Sequence, residues 1–249
     1  MYVARMTLDE LIAAACPIIK DSGWAFYFTP ETAARGAALG LDPVQFYVMG
    51  RGGVLGDVEP AVVSAAFGYF NPSLVDHMWS VGRATVSPRV AGAAFMECCI
   101  AHGELKLADV AGLAEFVAAG EKVMAATEVD AFALFAGTAA EPAATSAAGR
   151  AMQIVTVLRE YRGSAHLAAV RAVGLVSKQA HYVTRPNDAK QFGWGPDDAP
   201  AITDVERDAM VEAEALTDRM VRSAYAALDE SERETFVTGL RAIQTALAA

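Results

Sequence analysis

The densest group of polar side chains in the sequence lies in the segment LREYRGSAHLAAV. In a helix with 3.6 residues per turn, Arg159, Arg162 and His166 fall on one face, and Glu160 lies beside them. Two guanidinium groups and an imidazole that share one space form an anion-binding site, and the imidazole titrates near neutral pH. The alternative is a network of salt bridges that fixes packed helices against one another.

A second group of candidate residues lies around the glycine-rich segment GRGGVLG. It lacks the spacing of a nucleotide-binding loop, so a tight turn between helices is the alternative to a phosphate cradle. Arg51 lies between glycines and can reach into a cavity to bind an anion with both prongs of its guanidinium group. The alternative is an arginine that is solvated or paired with an acid for structural reasons. Tyr47, Tyr69 and Asn71 supply hydrogen-bonding groups within a series of aromatic residues. These aromatic residues either line a ligand pocket or pack in the core.

The sequence offers little support for metal or nucleophilic chemistry. His77, His102 and His181 lie far apart and follow no metal-ligand spacing, so no metal and no cofactor are predicted. No GxSxG motif is present to supply a hydrolytic serine. The three cysteines include no CxxC pair and are expected to be buried thiols of a cytoplasmic protein.

Composition predicts a helical, acidic protein. Hydrophobic residues make up 54% of the 249 residues, with many alanines, and this pattern favours packed helices over sheets. The formal net charge is −10, and the stretch from Asp197 to Glu234 contains twelve acidic residues but only four arginines. Such a surface repels phosphate, so specific DNA binding is not expected. The N-terminal segment, with Asp9, Glu10 and Lys20, indicates an amphipathic helix rather than a signal peptide, and no apolar run is long enough to span a membrane.

Caps and breakers divide the chain into helices. Thr7 with Glu10 and Thr29 with Pro30 mark helix starts. Further helices are expected over 59–69, 72–81, 88–103, 107–125, 130–135, 151–163 and 164–174, with two long helices from about 203 and 230; Gly163 either admits a close neighbour or breaks its helix. We predict a helical region 1–136, a linker or mobile loop 137–150, and a C-terminal region 151–249.

Between Gln179 and Thr203, prolines, glycines and aspartates replace helix-forming residues. Proline lacks an amide hydrogen and clashes within a helix, while glycine and aspartate favour turns. This stretch is therefore not expected to form a DNA-reading helix.

Four segments together resemble an actinobacterial family of helix-turn-helix proteins: FYFTPET, QFYVMGRGGVLGDVEPAVVSAAFGYFNPSLV, VLREYRGSAHLAAVRAVGL and EAEALTDRM. The resemblance covers most of the chain. It implies a multi-helix N-terminal half and a winged-helix-like C-terminal half similar to that of the multidrug-resistance regulators. Here that half is degenerate, because the Pro- and Asp-rich stretch stands where the recognition helix and most of the wing would be.

A further likeness, in roles rather than motifs, is to heterodimeric enzymes that close aziridine rings by eliminating sulfate. It implies an enzyme or enzyme subunit of natural-product biosynthesis with a small polar or anionic substrate. Arg51, Arg159 and Arg162 would hold the anion, and Glu160, His166 or Asp130 would move a proton, which for the acids requires burial to raise the pKa. The alternatives are a ligand-responsive transcriptional regulator and a non-catalytic partner subunit.

Regulator scaffolds of this type pair through their terminal helices. Apolar positions recur along the last two predicted helices, at Met210, Leu216, Met220, Tyr225, Leu228, Phe236 and Leu240. We therefore expect a homodimer, or a heterodimer with a homologous chain.

Overall fold

A computed structural model describes residues 6–249, and over this range the chain forms α-helices and short 3-10 helices without any strand. The mostly α-helical fold is thereby confirmed. The start of the N-terminal segment, residues 1–5, lies outside the described residues. The α-helices are α1 (Leu8–Ser22), α2 (Pro30–Ala38), α3 (Pro43–Gly52), α4 (Pro60–Phe67), α5 (Pro72–Thr85), α6 (Pro88–Lys106), α7 (Leu113–Ala125), α8 (Ala133–Ala139), α9 (Ala147–Ala172), α10 (Ser177–Thr184), α11 (Asp204–Tyr225) and α12 (Glu230–Ala248).

The helix starts follow the capping residues in the sequence. Thr7 accepts a hydrogen bond from the amide of Glu10, whose carboxylate accepts one from the amide of Thr7. Asp42 caps α3 with the same reciprocal arrangement, and Thr203 caps α11. Each cap satisfies amides that have no partner within the helix. The capping residues therefore allow these helix starts to be predicted from the sequence.

The prediction of two helices between 151 and 174 is wrong, because α9 is one helix of 26 residues, about 39 Å long. Gly163 lies within it and does not interrupt it. A glycine inside a helix costs about 1 kcal/mol relative to alanine. That cost is offset here by the burial of apolar side chains on both sides of Gly163, from Met152 to Val170.

The central helix of the fold is α9, which packs against α6, α11, α7, α8 and α1. The main core contains buried residues from α1, α3 to α9, the end of α11 and α12, and its largest fully buried side chains include Trp79, Tyr161, Tyr225 and Phe236. The connection between α8 and α9 is held by Gln153 of α9, whose side chain accepts a hydrogen bond from the amide of Ala144 and donates one to the carbonyl of Pro142. The division into regions 1–136 and 151–249, with a linker between, stays a prediction.

The irregular segment near the C-terminus begins later than predicted. The residues from Ser177 to Thr184 form α10, since they include no proline or glycine, and regular α-helix stops only before Pro186. Two 3-10 helices, Pro186–Phe192 and Pro196–Asp198, lead to α11. Within 151–249 there is no pair of strands, so this part of the chain has no wing.

The apolar positions that motivated the pairing prediction lie inside the chain's own fold. Met210, Tyr225, Leu228, Phe236 and Leu240 are buried, and Leu216 and Met220 pack against the cores. These side chains do not supply a free apolar face, and association with a second chain stays a prediction. Among residues 6–249, every helix falls short of the length or apolar character that crossing a bilayer requires.

Candidate functional site

A cavity of about 190 Å³ lies beside the middle of α9. Its walls come from α1, α3, the end of α4 and the segment after it, α8, α9, α10, the segment after α10, and α11. Most of the predicted site residues line it together, namely Tyr47, Arg51, Tyr69, Arg159, Glu160, Arg162 and His166. The cavity reaches the surface beside Gly163, where nothing lies within 4 Å of the position that a Cβ atom would occupy.

Two predicted site residues lie elsewhere. Asn71 caps α5: its side-chain oxygen accepts from the amide of Ser73, and its side-chain nitrogen donates to the carbonyl of Gly193. Asp130 is exposed and does not line the cavity. Neither is therefore in a position to contact a ligand held beside α9.

Glu160 is the charged centre of one cavity wall. Arg51 donates to both of its carboxylate oxygens, from Nε to Oε1 at 2.9 Å and from Nη2 to Oε2 at 2.8 Å. Arg159 Nη1 and the Tyr27 hydroxyl donate to Oε1 at 3.0 and 3.1 Å. Tyr47 accepts a further hydrogen bond from Arg51 Nη1 at 3.1 Å. The carboxylate is 2% exposed and holds four hydrogen bonds, so it joins helices in addition to facing the cavity.

These partners decide the ionisation of Glu160. Burial alone would raise its pKa, but the charge and hydrogen bonds of Arg51, the charge of Arg159 and the Tyr27 hydroxyl lower the pKa to about 2. A general base needs a pKa nearer the working pH. The condition under which Glu160 would take a proton, a pKa raised by burial, is therefore not met, because the opposing guanidinium charges outweigh desolvation.

Arg162 and His166 lie further along α9 than Glu160 and face α11. Arg162 Nη2 donates to Glu214 at 2.8 Å and to Asp218 at 3.2 Å. His166 Nδ1 lies 2.9 Å from the hydroxyl of Thr217. Glu214 is part of the cavity wall and Thr217 is fully buried behind it. Neither residue was identified as a site candidate from the sequence, although both lie in the segment EAEALTDRM.

Tyr69 adopts a conformation that non-glycine residues seldom use, with φ of +56°. Its ring stacks on that of His166, with 6.3 Å between centroids and 14° between planes. The indole of Trp194 donates to its carbonyl at 2.8 Å, and its buried hydroxyl has no hydrogen-bond partner. Strained backbone that surrounding contacts hold in place is characteristic of functional sites.

The cavity also contacts a small helical module next to the main core. Gly174, at φ of +85°, ends α9, and a short turn leads into α10. The ends of α9, α10 and the start of α11 share a separate apolar cluster, made of Ala169, Val170, Leu175, Ala180, Met210 and Ala213. Two helices joined by a tight turn and braced by a third form a helix-turn-helix arrangement.

The second helix of this module is covered. The covering segment, residues 185–198, contacts it at three places: Phe192 packs on the ring of His181 at 4.4 Å, Asp198 pairs with Lys178 at 3.3 Å, and the Gly195 carbonyl accepts from the Tyr182 hydroxyl at 3.4 Å. His181, considered in the sequence only as a metal ligand, is 2% exposed and lines the cavity. Thus α10 buries Ala180 and His181, while its other side chains are half-buried or, at Thr184, exposed.

The buried thiols and dispersed histidines do not form a second site. Burial raises the pKa of Cys16 to about 11 and that of Cys99 to about 12, so neither is a ready nucleophile. Among residues 6–249, no three side chains of His, Cys, Asp or Glu lie close enough together to hold a metal ion.

Comparison with known proteins gives one match. No curated protein and no solved structure is similar to the chain. A family profile described as a helix-turn-helix family matches residues 18–249, which is nearly the whole length. The α9–turn–α10 arrangement agrees with that description. The chain belongs to this helix-turn-helix family.

Proposed function

We propose that the chain binds a small molecule with an anionic group in the cavity beside α9. The observation that carries the proposal is the charge of the walls. The chain has a formal net charge of −10, yet two carboxylates in the cavity face five cationic side chains, those of Lys20, Arg51, Arg159, Arg162 and Arg185. A concave cationic site in an acidic protein favours an anion over a neutral molecule.

Unsatisfied polar atoms in the walls support the same proposal. The Tyr69 hydroxyl, Arg159 Nε and His181 Nε2 are buried without a hydrogen-bond partner. A buried polar group without a partner costs about 1–3 kcal/mol, which a ligand that bonds to it can recover. Aromatic side chains such as Phe67 and Phe70 form the apolar part of the walls. The best-matched ligand therefore combines a flat apolar body with an anionic group.

A catalytic form of this proposal is the elimination or cyclisation that the resemblance implies, in actinobacterial natural-product biosynthesis. Arg159 and Arg162 would stabilise the charge on a departing sulfate. Glu160 is unsuited to remove the proton, since its pKa is lowered to about 2. Of the three predicted catalytic residues, His166 is then the one that is left, because Asp130 does not line the cavity.

The second candidate is a ligand-responsive regulator, which family membership favours. His181 and Thr184 of α10 line the cavity, so a bound ligand would touch the helix that reads DNA in regulators of this kind. The covering segment argues against direct reading in the present conformation. A ligand-dependent gain of DNA binding would favour the regulator, and turnover of a bound anion would favour the enzyme.

Benzenesulfonate is a suitable probe because it combines a flat ring with a permanent anion. We expect it to raise the melting temperature of the protein in a concentration-dependent way, and neutral benzyl alcohol at equal concentration to do so much less. Absence of any shift with benzenesulfonate, and of heat in titration calorimetry, would contradict the proposal.

Gly163→Leu tests whether binding occurs in this cavity. The new side chain starts at a lining position with open space around it, so the protein should fold normally while the probe loses at least tenfold in affinity. Ala172→Leu is the matched control, because it adds a leucine to an exposed position of α9 outside the cavity. Equal affinities in the two variants would place the probe elsewhere.

A further inference from the structure

The hydrogen bonds of Thr217 determine which nitrogen of His166 carries the proton. The Thr217 hydroxyl donates to the carbonyl of Ala213 at 2.7 Å, and a carbonyl oxygen can only accept. The single hydroxyl hydrogen is thereby used. The contact of 2.9 Å between this oxygen and His166 Nδ1 is then a hydrogen bond in which Nδ1 donates. A neutral ring in this arrangement has its hydrogen on Nδ1.

The other ring nitrogen, Nε2, is consequently unprotonated in the neutral ring. It lies on the edge away from Thr217, 3.8 Å from Glu214 Oε1, and no hydrogen bond from the described residues reaches it. Burial lowers the pKa of His166, Arg162 and Lys20 lower it further, and Glu214 and Asp218 oppose them. The neutral ring is accordingly the main form at neutral pH.

We propose that Thr217 fixes His166 as the Nδ1–H tautomer, so that Nε2 serves the cavity as a proton acceptor and the ligand carries a hydroxyl or amine hydrogen besides its anionic group. Thr217 is a positioning residue, since it is buried behind the wall and acts through His166. The class of ligand rests on the proposed function, whereas the tautomer does not.

The same geometry gives Nε2 a role as a base. A hydroxyl or amine hydrogen that hydrogen-bonds to Nε2 can pass to it as a proton, leaving its electron pair on the ligand oxygen or nitrogen. The imidazolium formed is bonded to Thr217 on one side and faces the Glu214 carboxylate on the other. The surroundings therefore suit both protonation states, and no further reactant is needed.

The tautomer is tested without any ligand by nitrogen NMR of the histidine rings at neutral pH. In the native protein, His166 should show a protonated Nδ1 and an unprotonated Nε2. Thr217→Val removes the acceptor and should shift the ring towards the Nε2–H form, which is favoured in free imidazole side chains. Thr217→Ser restores a hydroxyl and should restore the native pattern. His102 is an internal reference that no variant should change.

Two outcomes would overturn the tautomer assignment: a protonated Nε2 in the native protein at neutral pH, or an unchanged His166 pattern in a folded Thr217→Val variant. A merely structural role of Thr217 would alter the melting temperature but leave the ring nitrogens as they are. Near-ultraviolet circular dichroism separates a folded variant from an unfolded one. Should Thr217→Val not fold, the native spectrum alone still decides.

The ligand class is tested with benzenesulfonate and its 2-, 3- and 4-hydroxy derivatives. We expect one hydroxy isomer to bind at least tenfold more tightly than the parent, and that gain to disappear in His166→Phe. Equal affinities of all four compounds would overturn this part of the inference. If none of them binds the native protein, the proposed function fails while the NMR result stands independently.

Discussion

Arg51 and Glu160, 109 positions apart in the chain, form a two-pronged ion pair between the end of α3 and the middle of α9. Both side chains are largely buried, with 11% and 2% exposed. The pair connects the glycine-rich segment to the central helix, and it forms one wall of the cavity. Both charges are desolvated. Replacing one partner should therefore change the stability of the protein differently from replacing both partners together.

Breaking the pair on one side should destabilise the protein strongly. Arg51→Met and Glu160→Gln each leave a buried charge with fewer partners, and we expect each to cost about 3 kcal/mol in the free energy of unfolding. The double variant should cost about 1–3 kcal/mol less than the sum. Urea denaturation gives the free energy of unfolding of the native protein, the two single variants and the double variant. Strictly additive losses would mean that the two groups do not interact.

The lowered pKa of Glu160 predicts how this contribution depends on pH. Its pKa is about 2 in the folded protein against an ordinary value of 4.5, so the unfolded chain binds the proton first as pH falls. The stabilisation is complete above about pH 4.5 and is lost between there and pH 2. The difference in unfolding free energy between native protein and Glu160→Gln should therefore shrink from pH 6 to pH 3. A constant difference would contradict the lowered pKa.

Arg162→Lys separates binding from stability. Arg162 Nη2 bonds to Glu214 and Asp218, whose side chains are each 46% exposed, and such pairs contribute at most about 1 kcal/mol. Lysine keeps the charge but loses the planar fork. We expect a melting temperature within a few degrees of the native value and roughly tenfold weaker benzenesulfonate binding in calorimetry. A large fall in melting temperature with unchanged affinity would favour a purely structural network.

Replacing Gly53 or Gly163 with alanine should change the stability of the protein in opposite directions. A Cβ atom on Gly53 would lie 2.0 Å from the carbonyl oxygen of Pro88, which is backbone and cannot move aside easily. Gly53→Ala should therefore cost several kcal/mol, as large overpacking does. Gly163→Ala meets nothing within 4 Å and should stabilise α9 by roughly 0.5–1 kcal/mol. Thermal unfolding compares them, and a tolerated Gly53→Ala would contradict the close approach.

The covered α10 predicts that the chain forms no sequence-specific complex with duplex DNA at physiological salt. Lys178, His181 and Tyr182 are engaged by the covering segment, and the net charge of −10 repels phosphate. An electrophoretic shift assay against a random-sequence library should show no enriched site. Repeating the assay with benzenesulfonate tests the hypothesis that the chain is a ligand-responsive regulator. A saturable complex with one DNA sequence in the absence of ligand would contradict the prediction.

The sequence predicts local features better than those that depend on distant neighbours. Helical periodicity located Arg159, Arg162 and His166 on the same cavity, because that relation is fixed within one helix. The sequence left the ionisation of Glu160 dependent on its surroundings, because Arg51 lies on another helix and no local pattern records that contact. The burial of His181 on α10 could not be predicted either, since it depends on the packing of residues 185–198. The helix boundary predicted at Gly163 was wrong because the low helix propensity of one glycine contributes less free energy than the burial of the apolar side chains around it.

The continuity of α9 has a consequence for how ligand preference evolves in this fold. Arg159, Arg162, Gly163 and His166 line the cavity, while Leu158, Tyr161 and Ala165 of the same helix are buried in the core. Substitutions at the first set change the chemistry offered to a ligand without altering the packing of the second. Relatives with this helix are therefore expected to diverge in what they bind while they retain one backbone, with Gly163 as the position at which cavity size is most easily adjusted.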